Sequence, residues 1–204
     1  MFISPAVKEN KQVTRGRAKW GLATIWDKGL TKYVSKAKSE NCRLEGTKFS
    51  FPGSSLLIVN TYFPCDPCVN NFDDNVVTNL LSDIHTMIRN YDTVNILVAG
   101  NMNCHFSRNT RFSNLVKSFF EDDLNFKIFL ETPCDKINPI DYSHTFMYKN
   151  LSSFSTIDHF VGNQNVINSV IKAGVTYYRK YVKSLPNICQ TRCWSTKYLY
   201  RRSC

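Results

Sequence analysis

Three short stretches of the 204-residue chain carry side chains able to act on an anionic group: Asn60-Thr61-Tyr62-Phe63-Pro64, Gly100-Asn101-Met102-Asn103 and Ser155-Thr156-Ile157-Asp158-His159. Amides and a phenol donate hydrogen bonds to a phosphate or a developing oxyanion, and a carboxylate can orient or accept a proton. Asp158 and His159 interrupt an apolar run, where such groups are costly unless paired or used. Each stretch also has a plainer reading. A Tyr near Pro at a strand end is ordinarily a packing residue, paired Asn residues after Gly form turns, and a buried Asp caps a neighbouring loop.

The elements that must position these groups follow from hydrophobic period. Gly21 to Trp26 is a short apolar run and reads as a strand. Lys48 to Phe51 alternates, Pro52-Gly53-Ser54 is turn chemistry, and Leu56 to Val59 is continuously apolar, which predicts a hairpin whose second strand is covered on both faces. From Asp73 to Asn90 the residues Val76, Val77, Leu80, Leu81, Ile84, Met87 and Ile88 keep a helical period, with aspartates at the start and Arg89 near the end. Ile96 to Ala99 predicts a second buried strand ending at Gly100, and Phe112 to Phe120 a second helix. Shorter strands are expected at Ile128 to Leu130, Thr145 to Tyr148 and Thr156 to Val161, with no clear core element after about Tyr178. Strand and helix alternate, so the class is α/β, and ligands of such sheets gather beyond the carboxyl ends of the strands.

Composition limits the function further. With 43% apolar residues the chain can bury a core, and no apolar run reaches the roughly 20 residues of a membrane span. The net charge of +10 is uneven: residues 1–48 carry 11 basic and 4 acidic side chains, 49–158 carry 7 and 12, and 159–204 carry 8 and none. Basic flanks around an acidic centre fit a partner rich in phosphate, although charge runs are usually only solvated faces. The start of the chain does not read as a signal peptide, and eight cysteines are too few for a disulfide scaffold. The expectation is an intracellular location with free thiols, nuclear if the partner is chromosomal DNA. Cys65-x-x-Cys68 and Cys189-x-x-x-Cys193 invite a zinc reading, but no shared pattern links the pairs.

The stretches GRAKWGLATIW (16–26), LLIVNTYFPCD (56–66), ILVAGNMNCHFSRNTRF (96–112) and SSFSTIDHFV (152–161) resemble, in order and spacing, the endonuclease/exonuclease/phosphatase superfamily. The likeness is greatest to the endonuclease domain of LINE-type (non-LTR) retrotransposons. It implies an incomplete version of the deoxyribonuclease I-like sandwich, two mixed sheets flanked by helices. It further implies a phosphodiesterase that uses magnesium and acts on DNA, with 1–165 as the domain, lacking its first strands, and 166–204 as a weakly structured basic tail. On the matching positions Tyr62 takes the place of a phosphate-contacting tyrosine, Asn103 that of an asparagine donating to phosphate or nucleophile, and Asp158 that of a supporting carboxylate. Arg17 and Arg108 are the expected nucleic-acid contacts.

The departures are as informative. Where the family has a water-activating aspartate the chain has Asn101, an amide without useful basicity. The metal-binding glutamate strand expected upstream of Gly16 and the Ser-Asp-His strand expected after Asp158 are not found, and no metal ligand is assigned. The expectation is therefore a degenerate nuclease domain. The rival reading is a non-catalytic nucleic-acid binder using Arg17, Lys19, Arg108, Arg111 and the basic tail.

Overall fold

The computed structural model describes residues 1–4, 21–65, 74–91, 93–129, 145–147, 154–172, 175–177, 194–196 and 199–200. In chain order the strands are β1 (Phe2–Ser4), β2 (Leu22–Thr24), β3 (Val34–Ala37), β4 (Leu44–Phe51), β5 (Ser54–Tyr62), β6 (Asn95–Asn101) and β7 (Lys127–Ile128). They continue as β8 (Phe146–Met147), β9 (Phe154–Ser155), β10 (Asp158–Gly162), β11 (Val170–Lys172), β12 (Val175–Tyr177), β13 (Trp194–Thr196) and β14 (Leu199–Tyr200). The helices are α1 (Asp74–Asn90), α2 (Arg111–Ser118) and α3 (Gln164–Ser169), with a 3-10 helix over Lys28–Tyr33.

The two apolar runs legible in the sequence, in β5 and β6, pair in parallel at the centre of a six-stranded sheet of order β3-β4-β5-β6-β10-β7. A parallel pair needs a crossover between its strands, and α1 supplies it. The remaining ladders, β3 with β4, β4 with β5, β6 with β10 and β10 with β7, are antiparallel, so the sheet is mixed. Along β5 fully buried residues (Leu57, Val59, Thr61) alternate with partly buried ones, as expected of a strand covered on both faces.

One face of the sheet carries Ala37, Leu44, Leu57, Val59, Ile96, Val98 and Val161, packed in one apolar cluster with Val77, Leu80, Leu81, Ile84 and Met87 of α1 and with Phe112 and Val116 of α2. Each such side chain contributes about 1.5–3 kcal/mol relative to exposure. Val76, expected on the apolar stripe of α1, is 40% exposed, because the stripe is only as wide as the sheet beneath it. The opposite face is covered at one end by Phe129, Val166 and Val170 against Leu56, Leu97 and Phe160. Next to it lies the β1–β2 ribbon, with β2 packed on β4 and β5.

Strands predicted near residues 21–26, 48–51, 56–59, 96–99, 128, 146 and 158–161 are present, most with shifted ends, and the short β1, β3, β9 and α3 were not anticipated. Residues 1–4 add a strand upstream of the Gly-Arg segment, and the 166–204 stretch contributes the antiparallel ribbons β11–β14 and β12–β13. No helix among the described residues is long and apolar enough to cross a membrane.

Gly100 fixes the closest approach of the two central strands. Its φ is +140°, and a Cβ added there would be driven into the Thr61 carbonyl of β5. Gly100→Ala is expected to cost about 3 kcal/mol or more of unfolding free energy, because both backbone conformation and strand spacing resist it. Urea denaturation of the two proteins checks this.

Candidate functional site

Strand register brings three of the sequence-selected residues together. Tyr62, the last residue of β5, lies opposite Asn101, the last residue of β6, and Asn101 lies opposite Asp158, the first residue of β10. Residues in register share a face, so phenol, amide and carboxylate stand in one row across three adjacent strands, roughly 4.8 Å apart from strand to strand. All three are partly buried. The row sits where the parallel strands end, the usual place for a ligand in such sheets.

The loop after β6 is bound tightly to this row. The Asn101 side-chain oxygen accepts the Asn103 backbone N–H at 2.8 Å, which closes an Asx-turn and lets Asn103 take a positive φ of 49°. Asn103 Nδ2 donates to the Phe63 carbonyl at 2.7 Å, and the Phe63 N–H donates to the Asn101 carbonyl at 2.8 Å, so the ends of β5 and β6 are tied to each other. Asn103 therefore lies beside the row rather than in it, with one of its amide protons committed to the backbone.

Asp158 is mostly buried, and its carboxyl is pushed above the ordinary 3.8 by desolvation, against an opposing hydrogen bond from Thr145. The buried Thr145 hydroxyl oxygen also accepts the backbone N–H groups of Ile157 and Asp158, each at 3.0 Å. Thr145 thus anchors the start of β10, a role invisible in the sequence, where it reads only as a strand residue. His159, the next residue along, faces the other way. Its Nε2–H donates to the carbonyls of Cys104 (2.8 Å) and Thr156 (3.0 Å), and its ring lies 4.3 Å from that of Phe106, so it holds the loop after β6 against the core.

Of the expected nucleic-acid contacts, Arg108 is exposed on the loop between β6 and α2, and Arg17 lies outside the described residues. Cys42, Cys65 and Cys104 are free thiols, Cys104 being buried, whereas Cys68, Cys189 and Cys193 lie outside the described residues.

A second carboxylate was not anticipated. Glu45 of β4 lies opposite Asn60, two residues before Tyr62, and on the same face as the row. It is fully buried, and neither side-chain oxygen has a hydrogen-bond partner among the described residues. The hydroxyls of Thr24 and Thr47 are also buried and unpartnered. In the sequence Glu45, between Leu44 and Gly46, is indistinguishable from a solvent-facing charge.

The resemblance implies magnesium, and the donor set can be tested for it. Asp158 is the only carboxylate of the row, Glu45 is three strands from it and set back by two residues, and no group of three or more His, Cys, Asp or Glu side chains converges among the described residues. Hard divalent cations are normally held by several oxygen ligands, often one or two of them carboxylates, and Asp158 is the one carboxylate that the row offers. What the row can do is donate from Tyr62 Oη and Asn101 Nδ2 to a bound oxyanion.

The described residues form a mixed central sheet with a small ribbon on its second face, a deoxyribonuclease I-like fold. Among solved structures it is similar to the endonuclease domain of TRAS1, a telomere-specific non-LTR retrotransposon, at 10% identity and a TM-score of 0.53, covering 74% of this chain and 64% of that one. It is similar also to the 3′ phosphatase NExo from Neisseria bound to product DNA hairpin, at 10% identity and a TM-score of 0.53, covering 79% of this chain and 66% of that one. The chain thus spans under two thirds of the length of either. No family model and no curated protein matches it. The likeness is one of fold, and it agrees with the resemblance read from the motifs.

Two outcomes follow from the buried carboxylates. Because the folded-state pKa of Asp158 is raised, the folded form binds more protons than the unfolded one above pH 3.8, and this residue's contribution to stability falls as pH rises through its folded value. Asp158→Asn is therefore expected to raise the thermal midpoint at neutral pH, with the gain vanishing toward pH 3.8 and below. Glu45→Leu removes an unsatisfied buried carboxyl and is expected to stabilise the fold by about 1–3 kcal/mol in chemical denaturation.

Proposed function

We propose that the chain is a degenerate phosphodiesterase domain of retrotransposon origin, inactive by itself as a nuclease, which keeps the phosphate-binding half of the site. The observation that carries this reading is the row Tyr62–Asn101–Asp158: it retains donors for a phosphate but has an amide at the position where the resembled family takes a proton from water. An amide has no basicity near neutral pH, and Asp158, which is hydrogen-bonded to Thr145, lies at the far side of the row from Tyr62. Among the described residues no group of three or more His, Cys, Asp or Glu side chains converges, and no hydrolytic step is assigned through the magnesium of the family.

A second reading, a non-catalytic nucleic-acid-binding module, is compatible with the first and is favoured by one specific feature. The exposed Arg108 follows the row on the loop that Asn101 and Asn103 shape, where phosphate contacts would supply sequence-independent, salt-sensitive affinity. DNA is the partner this reading selects.

Incubation of the purified chain with supercoiled plasmid and magnesium is expected to produce no nicked circles above a buffer control. Asn101→Asp alone is expected to restore none, because catalytic groups that act as a unit are not rescued singly. Nicking by the unaltered chain that disappears in Asp158→Ala would overturn the proposal.

A further inference from the structure

The end of the sheet remote from the row has chemistry of its own. From Tyr62 to Leu56 the chain runs back six residues along β5, about 20 Å, and Phe49 of β4 lies opposite Leu56 there. Near that end stand Lys28 and Lys32 of the 3-10 helix; Lys36 of β3, opposite Thr47, and Lys38 just after it lie farther along the edge strand toward the row, and Lys48 of β4, opposite Leu57, lies on the face that packs on α1. The first four are exposed, and none of the five has a carboxylate partner among the described residues.

Three of these cations, Lys32, Lys36 and Lys48, rest on aromatic rings. Lys32 Nζ lies 4.9 Å from the Tyr33 ring centre, Lys36 Nζ 6.0 Å from Phe2, and Lys48 Nζ 5.9 Å from Tyr91, whose carbonyl it also reaches at 3.4 Å. The rings themselves form a connected bed, Phe2 to Trp26 at 4.8 Å, Trp26 to Phe49 at 6.5 Å, Phe49 to Phe51 at 6.1 Å and Phe51 to Tyr33 at 5.2 Å. A ring restrains an ammonium without neutralising it, so the charge stays available to an anion. Beside Phe51 lies an open surface groove lined by Lys48, Ser50, Ser54, Ser55 and Asn95.

Protection of a sheet edge explains Lys36 and Lys38, which lie on and next to the edge strand. It does not explain Lys28 and Lys32 on the 3-10 helix, or a hydroxyl-lined groove beside an aromatic ring. We propose that this end of the sheet is a second nucleic-acid contact, which takes single-stranded nucleic acid, its phosphates on the lysines and an unstacked base in the groove beside Phe51. A single strand is selected because a groove of this kind needs a base that pairing does not withhold, and ring faces accept any base. The inference goes beyond the cleft and does not depend on it.

The test is fluorescence anisotropy of a fluorescein-labelled oligothymidylate against the full chain, with a labelled duplex alongside. The combined variant Lys28→Gln, Lys32→Gln, Lys36→Gln and Lys38→Gln changes only exposed side chains, and circular dichroism checks that it folds. Its affinity is expected to fall at least about tenfold, and the slope of log affinity against log salt to fall by about 3, for four lost single-strand phosphate contacts. Lys127→Gln, exposed on β7, is expected to change neither. Unchanged affinity in the folded quadruple variant, absence of binding by the unaltered chain, or tighter binding of the duplex would overturn the inference. If Arg108→Gln lowers affinity while the quadruple variant does not, the cleft reading stands and this one falls.

Discussion

The parallel pairing of β5 with β6 is the constraint on which the rest depends. Both strands are apolar enough to be covered on each face, and they approach so closely at Thr61 and Gly100 that no side chain fits between them. That single register decides which residues meet at the strand ends. Shifting β6 by one position would turn Asn101 to the helical face and bring Gly100 or Met102 opposite Tyr62, so the site is a consequence of the core rather than an addition to it. The backbone bonds between Phe63 and Asn101, and between Met102 and Ile157, carry the same register past the ends of the strands into the loops.

What was legible in the sequence is what apolar continuity and turn chemistry encode. The runs Leu56 to Val59 and Ile96 to Ala99, the turn at Pro52-Gly53 and the long period of α1 are local signals, and each corresponds to an observed element. Strand β4 was read only from Lys48, because Leu44-Glu45-Gly46-Thr47 is mixed in polarity. It becomes a strand because β5 offers a partner along all of it, from Leu44 opposite Thr61 to Phe51 opposite Ser54. Strand β3, Val34-Ser35-Lys36-Ala37, has the same history at the next position outward. Tertiary pairing overrides weak local preference in both.

The site was legible in part for a similar reason. Tyr62, Asn101 and Asp158 stand at the ends of strands that could be read, so their meeting follows once pairing is known. Thr145 and Glu45 could not be found this way. Thr145 acts through backbone N–H groups twelve and thirteen residues away, and Glu45 is buried only because β2 and β5 cover it. No local period distinguishes a Glu facing water from one facing a second layer. The aromatic bed under the lysines is invisible for the same reason, since Phe2 and Trp26 are far apart in sequence yet their rings lie 4.8 Å apart.

The amide at position 101 shapes the loop that follows it as a strand-end carboxylate would. A strand-end carboxylate has two jobs there, accepting the turn N–H that shapes the following loop and accepting a proton from water. Asn101 performs the first, its side-chain oxygen accepting the Asn103 N–H at 2.8 Å, so the turn, the positive φ of Asn103 and the tie to Phe63 need no carboxylate there. Only the second job requires a lone pair of carboxylate basicity. The structural and chemical demands on this position are therefore separable. A buried anion at the end of a central strand is in addition costly without a cation or metal beside it, as the raised carboxyl of Asp158 in the same row illustrates. An amide at the strand end avoids that cost and keeps the turn.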